Sequence, residues 1–113
     1  MISLHVYLTA KPGKERELEA GIKDKWLAAM AKQPGFVSCA LVTPFTPGAL
    51  EKLGALKPQH TFEVIAFWRS EEERLAWVAR PIHNEVFLPL QPLATKIAST
   101  LQTVAHSRNL LSS

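Results

Sequence analysis

Thr61-Phe62-Glu63-Val64-Ile65-Ala66-Phe67-Trp68-Arg69-Ser70-Glu71-Glu72-Glu73 contains a strand and the start of a helix within thirteen residues. Thr61 to Trp68 is rich in the β-branched and aromatic side chains that suit a pleated, half-buried surface. Ser70-x-x-Glu73 directly after it has the form of a helix capping box, in which the serine side chain satisfies an otherwise orphaned backbone N–H. The chain therefore passes from strand to helix almost without a loop. The helix beginning at Glu71 meets Pro81, which cannot sit inside it without disrupting it. An apolar stretch follows, with Val86, Phe87, Leu88, Leu90, Leu93 and Ile97 interrupted by Pro89 and Pro92, and it predicts a broken second helix.

Toward the N-terminus, Ile2, Leu4, Val6 and Leu8 alternate with Ser3, His5, Tyr7 and Thr9, the period-two signature of a strand with one buried face. Lys11-Pro12-Gly13 then turns the chain into Lys14 to Gln33, where Leu18, Ile22, Trp26, Ala29 and Met30 recur at helical spacing until Pro34-Gly35 stops them. Phe36 to Phe45 predicts a second strand. Residues 46–60 are too long for a simple hairpin loop and contain Leu50, Leu53 and Leu56, which fits a short helix or folded flap, either a lid or a packing insert. Ser99 to His106 predicts the last strand, leaving residues 1–107 as one domain and 108–113 as a tail. The order β-α-β-β-α-β is that of a ferredoxin-like α+β fold, a four-stranded antiparallel sheet with both helices on one face. Its other face needs a cover, and packing against a second copy in a dimeric α/β barrel would supply one.

A chain of 113 residues accommodates one sizeable core. With 47% hydrophobic and 20% charged residues it has a folding composition, not a disordered one. Thirteen Lys and Arg against ten Asp and Glu are dispersed, which argues against nucleic acid as a partner. No run approaches the length of a membrane span, and the first ten residues alternate where a signal peptide would be continuously apolar. Cys39 is the single cysteine, so no internal disulfide and no cysteine-based metal site can form, and a cytoplasmic setting is expected.

The segment from Phe62 to Glu72, with Trp68-Arg69-Ser70 at the strand end, then Trp77 and Pro81-Ile82-His83, resembles the central signature of the antibiotic biosynthesis monooxygenase family and its dimeric α/β-barrel relatives. The resemblance covers nearly the whole chain. It implies a homodimer with a small-molecule pocket between sheet and helices and, in members that oxygenate aromatic polyketides, no metal, flavin or other cofactor. Those members carry a Trp at the end of strand three, matched by Trp68, and an Asn at the position where this chain has Val64. The haem-degrading branch carries an iron-ligating His where this chain has Phe87. A second resemblance is to cyclases of the plant olivetolic acid cyclase type, whose two active-site histidines match His5 and His83, and whose helix Tyr is replaced here by Trp77.

These matches give His83 and His5 as candidate catalytic residues, and Tyr7, Trp68, Trp77 and Phe87 as candidate substrate-binding residues. An imidazole is suited to moving a proton near neutral pH, and His5 or Tyr7 could donate to a developing oxyanion. Each residue has an ordinary structural alternative: a polar pair on the strand for His5 and Tyr7, a backbone contact at the helix break for His83, core packing for the tryptophans. Four scattered histidines do not define a metal site. The leading expectation is a cofactor-independent monooxygenase-family enzyme acting on an aromatic or polyketide-like molecule. A cofactor-free polyketide cyclase or other proton-transfer enzyme, and a non-catalytic ligand-binding dimer, are the alternatives.

Overall fold

A computed structural model describes residues 1–110 of the chain. The element order is β1 (Ile2–Ala10), α1 (Glu15–Gly21), a π-helical segment (Ile22–Leu27), α2 (Ala28–Met30), β2 (Phe36–Val42), α3 (Pro47–Leu53), β3 (Phe62–Trp68), α4 (Glu71–Ala79), α5 (Pro81–Phe87), a 3-10 turn (Leu88–Leu93) and β4 (Ala94–Thr103). The strands form one antiparallel sheet in the order β2-β3-β1-β4. This is the ferredoxin-like α+β arrangement expected from the alternation of elements. Residues 111–113 of the expected tail lie outside the described residues.

The pairing of β1 with β3 sets Leu4 opposite Ala66, Val6 opposite Val64 and Leu8 opposite Phe62. This face carries the core, which the first helix covers with Leu18, Ile22, Trp26 and Met30 and the second helical region with Trp77 and Leu90. Leu18, Ile22, Trp26 and Met30 are spaced strictly four apart. In an ordinary α-helix such a row would drift by about 40° per step. The wider π turns over Ile22–Leu27 hold the row against the sheet. The opposite sheet face bears Ser3, His5 and Tyr7 beside Glu63, Ile65 and Phe67, and of these only Ser3 is buried.

Several boundaries differ from the expected ones. β4 begins at Ala94, not Ser99, and ends at Thr103, not His106. It pairs along β1 from Ile2 to Ala10, and the hydrogen-bonding edge of that strand sets its length. β4 is largely exposed, so its sequence alternates too weakly to mark the start. β2 stops at Val42, paired with Glu63 near the start of β3, and Phe45 beyond it is exposed. Residues 46–60 do fold a short helix, α3, capped by Thr46 accepting from the Ala49 N–H at 3.3 Å and ended by Gly54 in the left-handed region. None of its residues is fully buried. At the start of α4, Ser70 Oγ accepts from the Glu73 N–H at 3.2 Å, but the Glu73 carboxylate accepts from the Ser70 hydroxyl instead of reaching back to the Ser70 amide.

Candidate functional site

Arg80 is extended, with φ −79° and ψ 143°, as expected of a residue preceding proline. Pro81 then starts α5 at its first turn, where a missing N–H costs nothing. That break turns α5 relative to α4. It brings His83, which shares a helix face with Phe87 four residues on, against Trp77. The His83 imidazole stacks on Phe87 with centroids 5.4 Å apart and meets the Trp77 ring edge-on at 5.1 Å. Phe87 in turn lies 5.1 Å from Trp26. His83 Nδ1 is 3.3 Å from Asn84 Oδ1. An amide oxygen only accepts, so this contact is a hydrogen bond when the ring proton sits on Nδ1, and in that tautomer Nε2 is the acceptor nitrogen.

These side chains wall a cavity of about 230 Å3 between the helices and the sheet. Leu4 and Val6 of β1 and Ile97 to Ser99 of β4 form the sheet side, and Trp26, Met30, Arg74, Trp77, Val78, His83 and Phe87 the helix side. The wall is predominantly apolar, with a few polar groups, as ligand pockets are. Residues 46–60 do not line it. Among the described residues no cluster of three or more His, Cys, Asp and Glu could hold a metal ion. No helix among them is long and apolar enough to cross a membrane.

Of the residues singled out in the sequence, the structure brings together His83, Trp77 and Phe87. Trp68 is completely buried and packs edge-to-face on Phe36, centroids 5.8 Å apart, away from the cavity wall. Val64, in the place of the family's Asn, is likewise sealed in the core. His5 and Tyr7 face the other way. His5 Nε2 lies 3.0 Å from Ser3 Oγ and its Nδ1 3.0 Å from Glu63 Oε2. Tyr7 packs on His60, centroids 4.9 Å apart, in a separate hollow with Thr9 and Lys96. The two histidines matched to a cyclase are thus on opposite faces of the sheet, because a strand sends successive odd and even residues to opposite sides.

Arg74 and Trp26 line the cavity without having been singled out for it. Arg74 is held by Glu71, one turn earlier on α4, through Nε to Oε2 at 2.9 Å and through Nη2 to Oε1. The guanidinium keeps the Glu71 carboxyl below its ordinary range, mainly by hydrogen bonding. The i, i+3 spacing of Glu71, Arg74 and Trp77 could have drawn attention to Arg74. Trp26 reads from sequence only as core. Its indole N–H is buried and without a hydrogen-bond partner among the described residues. On β2, Cys39 is partly buried, and burial pushes its thiol up from the usual value.

A four-stranded antiparallel sheet with helices on one face and a small apolar cavity beneath them defines a ferredoxin-like α+β domain. The chain belongs to the antibiotic biosynthesis monooxygenase family, whose sequence profile matches residues 1–87, from β1 through α5. Among solved structures, a variant of SnoaB, a cofactor-independent oxygenase from Streptomyces nogalater, is similar with 20% identity and a TM-score of 0.73 over 96% of each chain. A dimeric protein of unknown function and ferredoxin-like fold from Bacteroides fragilis has 10% identity and a TM-score of 0.71, over 91% of this chain and 95% of its own. A dimeric ferredoxin-like protein of unknown function from Thermobifida fusca has 14% identity and a TM-score of 0.65, over 91% of this chain and 90% of its own. At these identities the likeness is one of fold. A comparison with curated proteins gives no match.

Proposed function

We propose that this protein is a cofactor-independent monooxygenase that oxidises a small aromatic or polyketide-like molecule in the cavity under α4 and α5. The observation that carries the reading is the seating of His83 between Trp77 and Phe87 on the wall of that cavity. In this mechanism His83 Nε2 removes a proton from an acidic phenol or from a carbon flanked by carbonyl and aromatic groups. The resulting anion passes an electron to dioxygen, and the two radicals combine to a peroxide. The peroxide takes back the proton held by His83, and loss of water from the hydroperoxide leaves C=O at the attacked carbon, the CH2 of a carbon acid or the ring C–H para to a phenol oxygen, so that two substrate hydrogens and one oxygen atom of O2 leave as water. Trp26, Trp77 and Phe87 bind the ring faces and keep bulk water from the carbanion.

The volume of the cavity, about 230 Å3, lies below the roughly 300–1,000 Å3 of pockets for drug-sized ligands. One- and two-ring substrates fit it better than fused three-ring ones. Family membership and the likeness to SnoaB support oxygenase chemistry. A second copy of the chain covers the open sheet face, where Ile65 and Phe67 are only half-buried, and closes a dimeric barrel; two neighbours of ferredoxin-like fold are themselves dimeric.

The test is oxygen uptake with product analysis on purified protein, using a panel of phenols, naphthols and anthrones, with wild type and His83→Ala compared. Quinone formation coupled to oxygen uptake, and lost in the variant, is the expected result. Cyclised product without oxygen uptake would replace the reading with a proton-transfer enzyme, and tight binding without turnover would replace it with a binding protein.

A further inference from the structure

The cavity wall carries one permanent charge among the described residues, Arg74, and no carboxylate faces it from the other wall residues. The Arg74 side chain is 15% exposed, so its guanidinium is largely withdrawn from water. A withdrawn cation is costly unless its N–H groups are used. Glu71 uses only part of them. It occupies the side-on edge of the guanidinium, taking the Nε proton and one Nη2 proton. The end-on edge, formed by Nη1 and the second Nη2 proton, has no acceptor among the described residues, and no Arg74 nitrogen is sealed from solvent without a partner. A planar fork of two parallel N–H groups matches a carboxylate. Glu71 is 41% exposed, so water screens its charge more than it screens the charge of Arg74, and Arg74 is the one wall residue that could offer a permanent cation to a ligand.

We infer that Arg74 makes this cavity selective for an aromatic acid: a one- or two-ring molecule whose carboxylate docks on the end-on edge of the guanidinium. Its ring lies among Trp26, Trp77 and Phe87, within reach of His83. The inference rests on the reading of this cavity as the substrate pocket. It adds the substrate's charge and names the residue that selects it. Arg74 is a binding residue here, and Glu71 positions it by fixing the opposite edge.

The experiment uses naphthalene-2-carboxylate and the isosteric neutral naphthalene-2-carboxamide as probes, with binding followed by calorimetry and by quenching of the cavity tryptophans. Wild type is expected to prefer the carboxylate by at least about tenfold, the scale of a hydrogen bond to a charged group. Arg74→Gln is expected to bring the ratio of the two affinities near one, with far-UV circular dichroism and thermal unfolding showing that the variant folds. Arg74→Lys, which keeps the charge and loses the fork, should fall between them and supplies the comparison if the glutamine variant is unstable. Equal binding of both probes by wild type, a preference that survives in Arg74→Gln, or no binding of either probe would overturn the proposal. Absence of oxygen uptake with the carboxylate preference intact would remove the oxygenase reading and leave the anion site standing.

Discussion

The imidazole of His83 lies stacked on the ring of Phe87, with centroids 5.4 Å apart and planes inclined by 25°. The contact follows from their i, i+4 spacing on α5, and it fixes the imidazole plane that the proposed proton transfer needs. Removing the base itself, in His83→Ala, is expected to lower kcat by about a hundredfold or more, within the usual range for general-base catalysis. Phe87→Ala keeps the base but frees its ring and opens the wall. A smaller loss in kcat and a raised KM are expected there, measured by steady-state oxygen uptake. An unchanged kcat in His83→Ala would remove His83 from the chemistry.

Glu71 and Arg74 give a prediction with a definite sign. The folded-state pKa of Glu71 is lowered, chiefly by its hydrogen bonds to Arg74. The pair therefore adds stability above the ordinary carboxylate range, and that stability is lost as the pH falls through the lowered pKa. Arg74→Gln should return the Glu71 titration to its ordinary value in a carboxyl NMR titration. The variant should be slightly less stable than wild type at pH 7 and indistinguishable from it at a pH where Glu71 is protonated in both. The effect is small because Glu71 is well solvated.

Much of this architecture is legible in the sequence because its cues are local. The alternation in Ile2–Thr9, the serine cap before α4 and the proline that separates α4 from α5 each act through their nearest neighbours in the chain. What fails to show is what depends on partners far away. β4 takes its ends from the length of β1, and its own exposed residues carry no pattern to announce them. His5 is matched to a catalytic histidine by position, yet the strand's period of two sends it to the face away from His83, and only the register with β3 reveals Glu63 as its partner. Arg74 carries no local cue to a pocket, and only the turn at Pro81, which folds α5 back beside α4, makes its flank a cavity wall.

The open sheet face offers a test of the proposed dimer. Ile65 and Phe67 alternate with the buried residues of β3 and are half-buried in the single chain. A charge placed there would be desolvated if a second sheet packs on it. Phe67→Asp is expected to convert a dimer into a monomer by light scattering, with the far-UV circular dichroism of the fold retained. Wild-type protein that is monomeric at the concentrations of the assay would rule the barrel out.

Gly35 closes the turn between the first helix and β2 with φ +85°, and its carbonyl accepts from the Arg69 N–H at 2.8 Å. A Cβ built there would lie 2.6 Å from the Glu73 Cβ and closer still to its carboxylate. The near atom is at the root of the side chain, so rotating the carboxylate away does not relieve it. That rotation would also break the hydrogen bond from Ser70 that helps start α4. Gly13 has nearly the same backbone, φ +83°, with nothing within 4 Å of its would-be Cβ. Gly13→Ala therefore isolates the cost of the left-handed conformation, about 1–2 kcal/mol. Gly35→Ala adds the overlap, bringing the total to about 2–4 kcal/mol, and thermal unfolding should place its Tm several degrees below that of Gly13→Ala. Equal losses in the two variants would mean that Glu73 gives way without cost, and that the turn and the start of α4 are not coupled.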